Sequence, residues 1–186
     1  PQNRRRFVLL ASKEKEIVIS NGEYDGISKS YKTVGDAIKS LPRLRVGSES
    51  KKVINHKCAN LSELNKTRIH ETKKNGGSRT DWRPELWLKC HLNEDGSPKN
   101  VHKDTYGRMA WEKPAPTLTT KFNSITTGRY GHPTQDRAIS LKEGALLQSF
   151  PDNYIFYGSM QNIARQIGNA VPPKMAEEFG KYFVNQ

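Results

Sequence analysis

The sequence predicts an α+β fold, and three features of its 186 residues indicate it. Two apolar runs near the N-terminus, Phe7–Ala11 and Glu16–Ser20, have strand composition and lead to the turn signal Asn21-Gly22. The middle of the chain, to about residue 135, is rich in turn residues and contains short strand-like runs such as LWLKCHL and PTLTTKF. The remaining residues carry helix spacing and helix caps. We therefore divide the chain into residues 1–24, 25–135 and 136–186.

Two helices are predicted in the first half of the chain. Thr33 and Asp36 have the spacing of a capping box, and Pro42 would stop the short helix that follows. A second helix, ending before Gly76-Gly77, is predicted by the helical spacing of three apolar residues, Leu61, Leu64 and Ile69.

Three helices are predicted in the last part of the chain. Ser140 and Glu143 form another capping box and open a helix that would end near Pro151. The next helix is expected from about Met160 to Ile167, with Gly168 as its C-terminal stop. The last helix would start at Pro172-Pro173. An apolar stripe at spacing four predicts one packed face on it: Met175, Phe179 and Phe183.

The charge of the chain narrows the class of partner. Lysine and arginine number 31 against 19 acidic residues, a net charge of +12. An excess of this size favours a polyanionic partner. No apolar run approaches the roughly 18 residues of a membrane span, so no membrane partner is expected. No signal peptide is visible, which fits a cytoplasmic setting. Pro1 is not a start residue, so we expect a piece of a longer protein.

The two cysteines, Cys58 and Cys90, stand near His56 and His91 in the sequence, as HKC and CH. Their spacing is not that of the common structural zinc sites, so we expect no metal site. Two cysteines make no disulfide framework, which fits a reducing compartment. A zinc-binding nucleic-acid module is kept as an alternative.

The first residues, PQNRRRF, combine an amide with arginines ahead of a predicted strand. Alternate residues of a strand share a face, so Gln2, Arg4 and Arg6 would point the same way. Two guanidinium forks and an amide on one face suit a phosphate or the edge of a nucleobase.

Four segments together resemble the DNA (cytosine-5)-methyltransferase family, in the order in which that family has them. PQNRRR is similar to its Gln-x-Arg-x-Arg motif, and YGRMAWEKPAPTLTT to the end of its target recognition domain. GHPTQDRAISLKEGALLQSFPDNY and NIARQIGNAVPP resemble its C-terminal motifs. The resemblance implies a β-containing target recognition domain over residues 25–135. Residues 1–24 would supply strands, and residues 136–186 helices, of an incomplete α/β methyltransferase domain that uses S-adenosylmethionine.

The resemblance also implies roles for single residues. Arg6 would contact the flipped cytosine, Arg4 would orient the catalytic site and a nearby phosphate, and Gln2 would support both. The turn Asn169, Ala170 and Val171 would close against S-adenosylmethionine. The partner would be double-stranded DNA, and in a bacterium the protein would be associated with the nucleoid.

Ten residues are candidates for contact with DNA. Hydroxyls and a base in one strand-like run suit phosphate and groove contacts, at Thr117, Thr119, Thr120 and Lys121. A glycine-containing segment resembles a recognition loop that approaches bases closely, at Gly76, Gly77, Ser78 and Arg79. Arg108 and Arg129 are two further candidates.

The chain departs from the family pattern at one helix. Where the family has Arg-Glu-Cys-Ala-Arg-Leu-Gln, this chain has KEGALLQ, with Lys142 and Leu146 in place of the two arginines. Gly144 would weaken that helix by roughly 1 kcal/mol relative to alanine. These changes leave open how tightly this helix anchors the recognition domain.

The nucleophile of the family is missing from the chain. The family places its cysteine after proline, whereas Cys58 and Cys90 each follow lysine. The glycine-rich cofactor loop and the Glu-Asn-Val segment are also absent. We therefore expect the C-terminal part of the enzyme, inactive alone, with the N-terminal catalytic part as its partner. A separate subunit of a split methyltransferase and a non-catalytic DNA-binding module remain alternatives, and the target sequence cannot be read from the chain.

Overall fold

The structure is a computed structural model that describes residue 13, residues 32–99, residue 101 and residues 104–184, with side chains described as far as Lys181. The predicted strands Phe7–Ala11 and Glu16–Ser20 lie outside these residues, as do the candidate residues Gln2, Arg4 and Arg6.

Five α-helices form in the described part of the chain: α1 (Val34–Ile38), α2 (Glu63–Glu71), α3 (Leu141–Leu147), α4 (Met160–Asn169) and α5 (Pro173–Val184). Both predicted capping boxes are present. In the second one, the Ser140 hydroxyl accepts a hydrogen bond from the Glu143 amide at 3.1 Å, and the Glu143 carboxylate accepts one from the Ser140 amide at 2.6 Å. The helices start where the sequence predicts because these hydrogen bonds are local.

The β-structure predicted for the middle of the chain is largely missing from the described residues. It consists there of isolated bridges, such as Glu49–Lys57 and the parallel bridge Arg108–Gly131, rather than ladders. LWLKCHL forms parts of two 3-10 turns, Pro84–Leu86 and Lys89–His91. Its amides bond locally, with Leu92 N–H donating to the Lys89 carbonyl at 3.1 Å. Apolar alternation produces a strand only where a second strand is available to pair with it.

The larger hydrophobic core is built around α1, α3 and α4. Ile38 from α1, Leu141 and Leu147 from α3, and Ile167 from α4 are at most 2% exposed. Residues from the middle of the chain complete this core, among them Met109, Leu118, Phe122 and Tyr130. Because one core contains residues from both sides of position 135, the middle of the chain and the C-terminal helices pack together.

A second hydrophobic cluster lies under α2. Ile69 of α2 packs there with Trp82, Leu86 and Tyr106. The rings of Trp82 and Tyr106 meet edge to face with centroids 5.1 Å apart, and the Arg68 guanidinium lies 5.4 Å from each ring centroid. This cluster supports the segment between α2 and residue 106, which has little regular secondary structure.

Gly144 is explained by the packing of α3. A Cβ atom on Gly144 would lie 2.3 Å from Cε2 of Phe122, whose side chain is fully buried. The glycine therefore gives the aromatic ring space against the helix. Lys142, at one of the changed arginine positions, is buried and pairs with Asp152 at 2.9 Å. Both departures from the family pattern are thus accommodated by close packing of α3.

Candidate nucleic-acid interface

A polar groove lies between α4, the loop 120–127 and the segment 59–61, and it has a volume of about 770 Å³. The loop lines it with Thr120, Lys121 and further hydroxyl and amide side chains. The helix lines it with Gln161, Arg165 and Asn169. The groove thus contains two cations and no carboxylate among the described residues that line it. Its chemistry suits an anion that also accepts hydrogen bonds.

The hydroxyl-rich run on the loop side is held by a tyrosine. The buried Tyr130 hydroxyl donates to the Thr117 carbonyl at 2.7 Å and accepts from the Thr119 amide at 3.3 Å. The Thr127 hydroxyl donates to the Lys121 carbonyl at 2.8 Å. These bonds satisfy the backbone of the run PTLTTKF locally, which explains why it forms no strand ladder. They also leave the Lys121 side chain exposed at the groove.

Gly168 joins the two sides of the groove. A Cβ atom at Gly168 would lie 2.5 Å from the Thr119 carbonyl oxygen and 2.6 Å from the Thr120 nitrogen. The glycine is therefore a point of close packing, and α4 continues to Asn169 rather than stopping at Gly168 as predicted. The side-chain Nε2 of Gln148 donates to the Ile167 carbonyl at 2.9 Å and fixes the same end of the helix.

The predicted cofactor residues lie at this end of α4. Asn169 is the last helical residue and lines the groove, Ala170 is the C-cap, and the Val171 side chain is 56% exposed. The structure therefore brings Asn169 close to the predicted DNA-contacting residues Thr120 and Lys121.

The segment Gly76–Arg79, called the glycine loop below, lies apart from this groove and contacts Arg129. The Arg129 guanidinium donates to the Gly76 carbonyl at 3.0 Å and the Gly77 carbonyl at 3.3 Å, while its Nε donates to Asp104 at 3.0 Å. Gly76 has a φ of +106°, and a Cβ atom on Gly77 would lie 2.3 Å from the Lys73 carbonyl. Gly76 thus allows a left-handed backbone conformation and Gly77 a close approach to the Lys73 carbonyl, while Arg129 holds the loop in place.

Arg108 was predicted to contact DNA, but its side chain is fully buried. Its guanidinium donates to the carbonyls of Thr72, His132 and Gln135 at 3.0, 2.8 and 2.7 Å, and also bonds to Ile69 and Asp136. Burial lowers its pKa, although Asp136 opposes this shift. In this structure a DNA phosphate cannot reach Arg108, which instead ties α2 to the segment 132–136.

Arg79 is also buried, at 2% exposure. It donates to the Thr105 hydroxyl at 2.9 Å and to the Val101 carbonyl, and it lies 5.8 Å from the centroid of Trp87. Its neighbour Ser78 caps the 3-10 turn Arg79–Asp81. Both residues therefore shape the glycine loop from inside, and a direct contact of Arg79 with DNA is not available in this conformation.

A buried ionic network holds the segment that leads into α3. Arg137 forms two hydrogen bonds of 2.7 Å to the Glu143 carboxylate, and both side chains are 1% exposed. His132 lies 3.6 Å from the same carboxylate. Burial lowers the pKa of His132 to about 3, with Arg137 and Arg108 acting in the same direction and Glu143 against it. The imidazole is therefore neutral, and its Nδ1 accepts from the amides of Thr134 and Gln135 at 3.1 and 3.0 Å.

Two of the side chains considered for zinc, His56 and Cys58, have hydrogen-bond partners within the protein. His56 bonds through Nδ1 to the Ser140 hydroxyl at 2.9 Å and through Nε2 to the Pro42 carbonyl at 2.8 Å. The Cys58 thiol donates to the Arg45 carbonyl at 3.0 Å, and Cys90 is exposed. In the described part of the chain, no three histidine, cysteine or acidic residues form a group that could hold a metal ion.

Two residues of the groove, Gln161 and Arg165, were missed from the sequence. With Asn169 they recur at spacing four, opposite the buried residues Ile163, Ala164 and Ile167 of α4. That polar stripe could have been read from the sequence.

Within the described residues, none of the helices is both long and apolar enough for a membrane span.

Comparison with known proteins gives one consistent result. A model of the family described as C-5 cytosine-specific DNA methylase matches residues 1–185. The chain is 41% identical over 185 residues to the type II methylase M.HgiDII of Herpetosiphon aurantiacus, covering 97% of this chain and 51% of that protein. It thus spans about half the length of this relative.

Two further relatives are covered to a smaller share of their own length. DNA (cytosine-5)-methyltransferase 3 of Arabidopsis thaliana is 36% identical over 80% of this chain and 12% of that protein. The type II methyltransferase M1.HphI of Haemophilus parahaemolyticus is 33% identical over 95% of this chain and 42% of that protein. A crystal structure described as that of a DNA modification methyltransferase from an E. coli prophage aligns with 70% of this chain and 28% of its own, at 23% identity and a TM-score of 0.47. That likeness is too limited to define the fold.

Proposed function

The chain belongs to the C-5 cytosine-specific DNA methylase family, and we propose that it is the DNA-recognising, C-terminal portion of such an enzyme. The whole enzyme would transfer a methyl group from S-adenosylmethionine to carbon 5 of a cytosine flipped out of the duplex. This portion would contribute DNA contacts and one wall of the cofactor site. Residues 25–135 would form the recognition domain, and residues 136–186 would return to the catalytic domain.

One observation carries this proposal. The groove between α4 and loop 120–127 brings Thr120 and Lys121, proposed to contact DNA, together with Asn169, proposed to face the cofactor. An enzyme that methylates a base must bring its DNA site and its methyl donor within reach of each other. The net charge of +12 supports a polyanionic partner.

The end of α4 has features that fit one side of S-adenosylmethionine. Asn169 presents an amide at the groove, and the exposed Val171 side chain offers apolar surface for an adenosyl group. The last carbonyls of a helix carry a partial negative charge, which favours a cation such as the sulfonium. When bound, S-adenosylmethionine supplies the methyl group. Asn169, Ala170 and Val171 would orient it from one side only, and the remaining contacts would come from the catalytic part.

The roles of Arg6, Arg4 and Gln2 rest on sequence similarity. Arg6 would contact the flipped cytosine, Arg4 would orient the site, and Gln2 would support both. Neither cysteine suits the nucleophile, because Cys58 is buried with its thiol bonded to a carbonyl and Cys90 follows lysine. The attacking thiolate would therefore come from an N-terminal catalytic part, in the same protein or in a separate subunit. DNA as substrate would place a bacterial enzyme at the nucleoid in the cytoplasm.

Two measurements test this function. The purified 186-residue chain is expected to transfer no methyl group from labelled S-adenosylmethionine to duplex DNA, whereas the intact protein that contains it does. Methyl transfer by the chain alone would refute the proposal that the catalytic cysteine lies in an N-terminal part. In the intact protein, Arg6→Ala is expected to reduce turnover far more than duplex binding. Equal losses in both would contradict the role of Arg6.

A further inference from the structure

Helix α4 presents a polar stripe to the groove. Gln161, Arg165 and Asn169 are exposed and line it, whereas Ile163 and Ile167 on the other side of the helix are at most 5% exposed. The buried side fixes the rotation of α4 about its axis. Arg165 is thereby directed to the same groove as Lys121, which approaches from the loop.

Arg165 has fewer hydrogen-bond partners within the described residues than most of the arginines discussed above. Arg79, Arg108 and Arg137 are at most 2% exposed, and Arg129 holds the glycine loop. Among the described residues, Arg165 donates one long hydrogen bond, to the Asn162 side chain at 3.3 Å, and takes part in no ion pair. A guanidinium has five N–H donors, so most of its capacity is available to a ligand.

The groove also discriminates by charge. Lys121, like Arg165, forms no ion pair with a described residue, and no carboxylate lines the groove. Hydroxyls from the loop, such as those of Thr120 and Thr126, add neutral donors. This set of groups matches the sugar-phosphate backbone of a nucleic acid, which combines anionic and neutral acceptors. A volume of about 770 Å³ is that of an ordinary small-ligand site, so we expect the backbone of one strand to enter it.

We infer that Arg165 and Lys121 bind the phosphate backbone of one DNA strand from opposite sides of this groove, with Gln161 as a neighbouring donor. This inference rests on the proposed function and assigns to α4 a direct role in DNA binding. The partial negative charge at the C-terminal end of α4 places the phosphate near Arg165 rather than at Asn169. The two ends of the groove would thus serve different ligands, the DNA backbone near Arg165 and the cationic cofactor near Asn169.

The test is the salt dependence of duplex binding by the intact protein. Each neutralised phosphate contributes about 0.9 to the slope of log affinity against log salt. Arg165→Gln is expected to make the slope shallower by about 0.9, and the double variant with Lys121→Gln by about 1.8. Arg165→Lys keeps the charge and is expected to restore the slope. Arg43→Gln is the matched control, because Arg43 is exposed and does not line the groove.

The outcomes separate the two proposals. A steep slope in the parent protein that is unchanged in Arg165→Gln would overturn the inference about α4 and leave the proposed function standing. A parent protein that does not bind DNA, or binds it with a flat salt response, would overturn both. An equal change in Arg43→Gln would show a general loss of positive charge and would also overturn the assignment of Arg165. Unchanged thermal unfolding checks that the exposed substitutions leave the fold intact.

Discussion

Gly144 gives a sharp test of how α3 packs, because helix propensity and core packing make opposite predictions there. Replacing a mid-helix glycine by alanine normally stabilises a helix by about 1 kcal/mol. Here the new Cβ atom would lie 2.3 Å from Cε2, 2.4 Å from Cζ and 3.0 Å from Cδ2 of Phe122. The ring is fully buried in the larger core, so it has no open space to move into.

The net effect follows from these two terms. Overpacking a well-filled core costs typically about 1–3 kcal/mol, and three close contacts with a rigid ring place this site near the upper end. After the gain in helix propensity is subtracted, Gly144→Ala is expected to lower the free energy of unfolding by about 2 kcal/mol. Urea denaturation of the intact protein, followed by circular dichroism, measures the free energy of unfolding.

A second background makes the test decisive. Phe122→Leu removes Cε2 and Cζ, the two atoms that a Cβ on residue 144 would meet most closely, so in that variant Gly144→Ala is expected to stabilise by up to about 1 kcal/mol. The sign of the same substitution should therefore reverse between the two backgrounds, which is a coupling of the kind that a double-mutant cycle isolates. Stabilisation by Gly144→Ala with Phe122 present would refute the packing argument.

Two further predictions concern buried charged and titratable groups. The pKa of His132 is lowered to about 3, so between that pH and its unfolded value of about 6.5 the unfolded chain binds a proton that the folded chain does not. The free energy of unfolding should therefore fall with decreasing pH in this window, by up to about 1.4 kcal/mol per pH unit from His132 alone. His132→Gln should show a shallower fall in urea titrations between pH 4 and about 6.5. Identical slopes in the two proteins would contradict the lowered pKa of His132. Arg108→Met should lower the free energy of unfolding by about 3–5 kcal/mol, because four carbonyls and Asp136 lose their buried donor. Arg108→Lys should recover little of this loss, since one ammonium cannot reach the same acceptors, and full recovery in thermal unfolding would show that charge alone matters.

Helix starts were predictable because they depend on neighbours in the chain. The capping boxes at Thr33 and Ser140 each need only four consecutive residues, and both form. The predicted strand LWLKCHL failed for the opposite reason. A strand needs a pairing partner from elsewhere in the chain, and the amides of this segment find acceptors locally.

The family was also readable from the sequence, since its motifs are short stretches in a fixed order. A family model that covers residues 1–185 confirms it. The individual site residues were harder to judge. The sequence alone does not show which of the arginines at 79, 108, 129 and 165 are buried. The first two are buried, Arg129 holds a loop, and Arg165 points to the groove.

The sequence by itself determined the family, the positive charge and the places where helices begin, because composition and local hydrogen bonds decide these. Only the tertiary structure decided which cations remain available to a ligand, since burial depends on residues far apart in the chain. It also decided why glycine stands at 144 and 168, where Phe122 and the Thr119 carbonyl occupy the space of a Cβ atom. The polar groove exists for the same reason, because Lys121 and Arg165 meet only when α4 packs on the Thr119–Thr120 peptide.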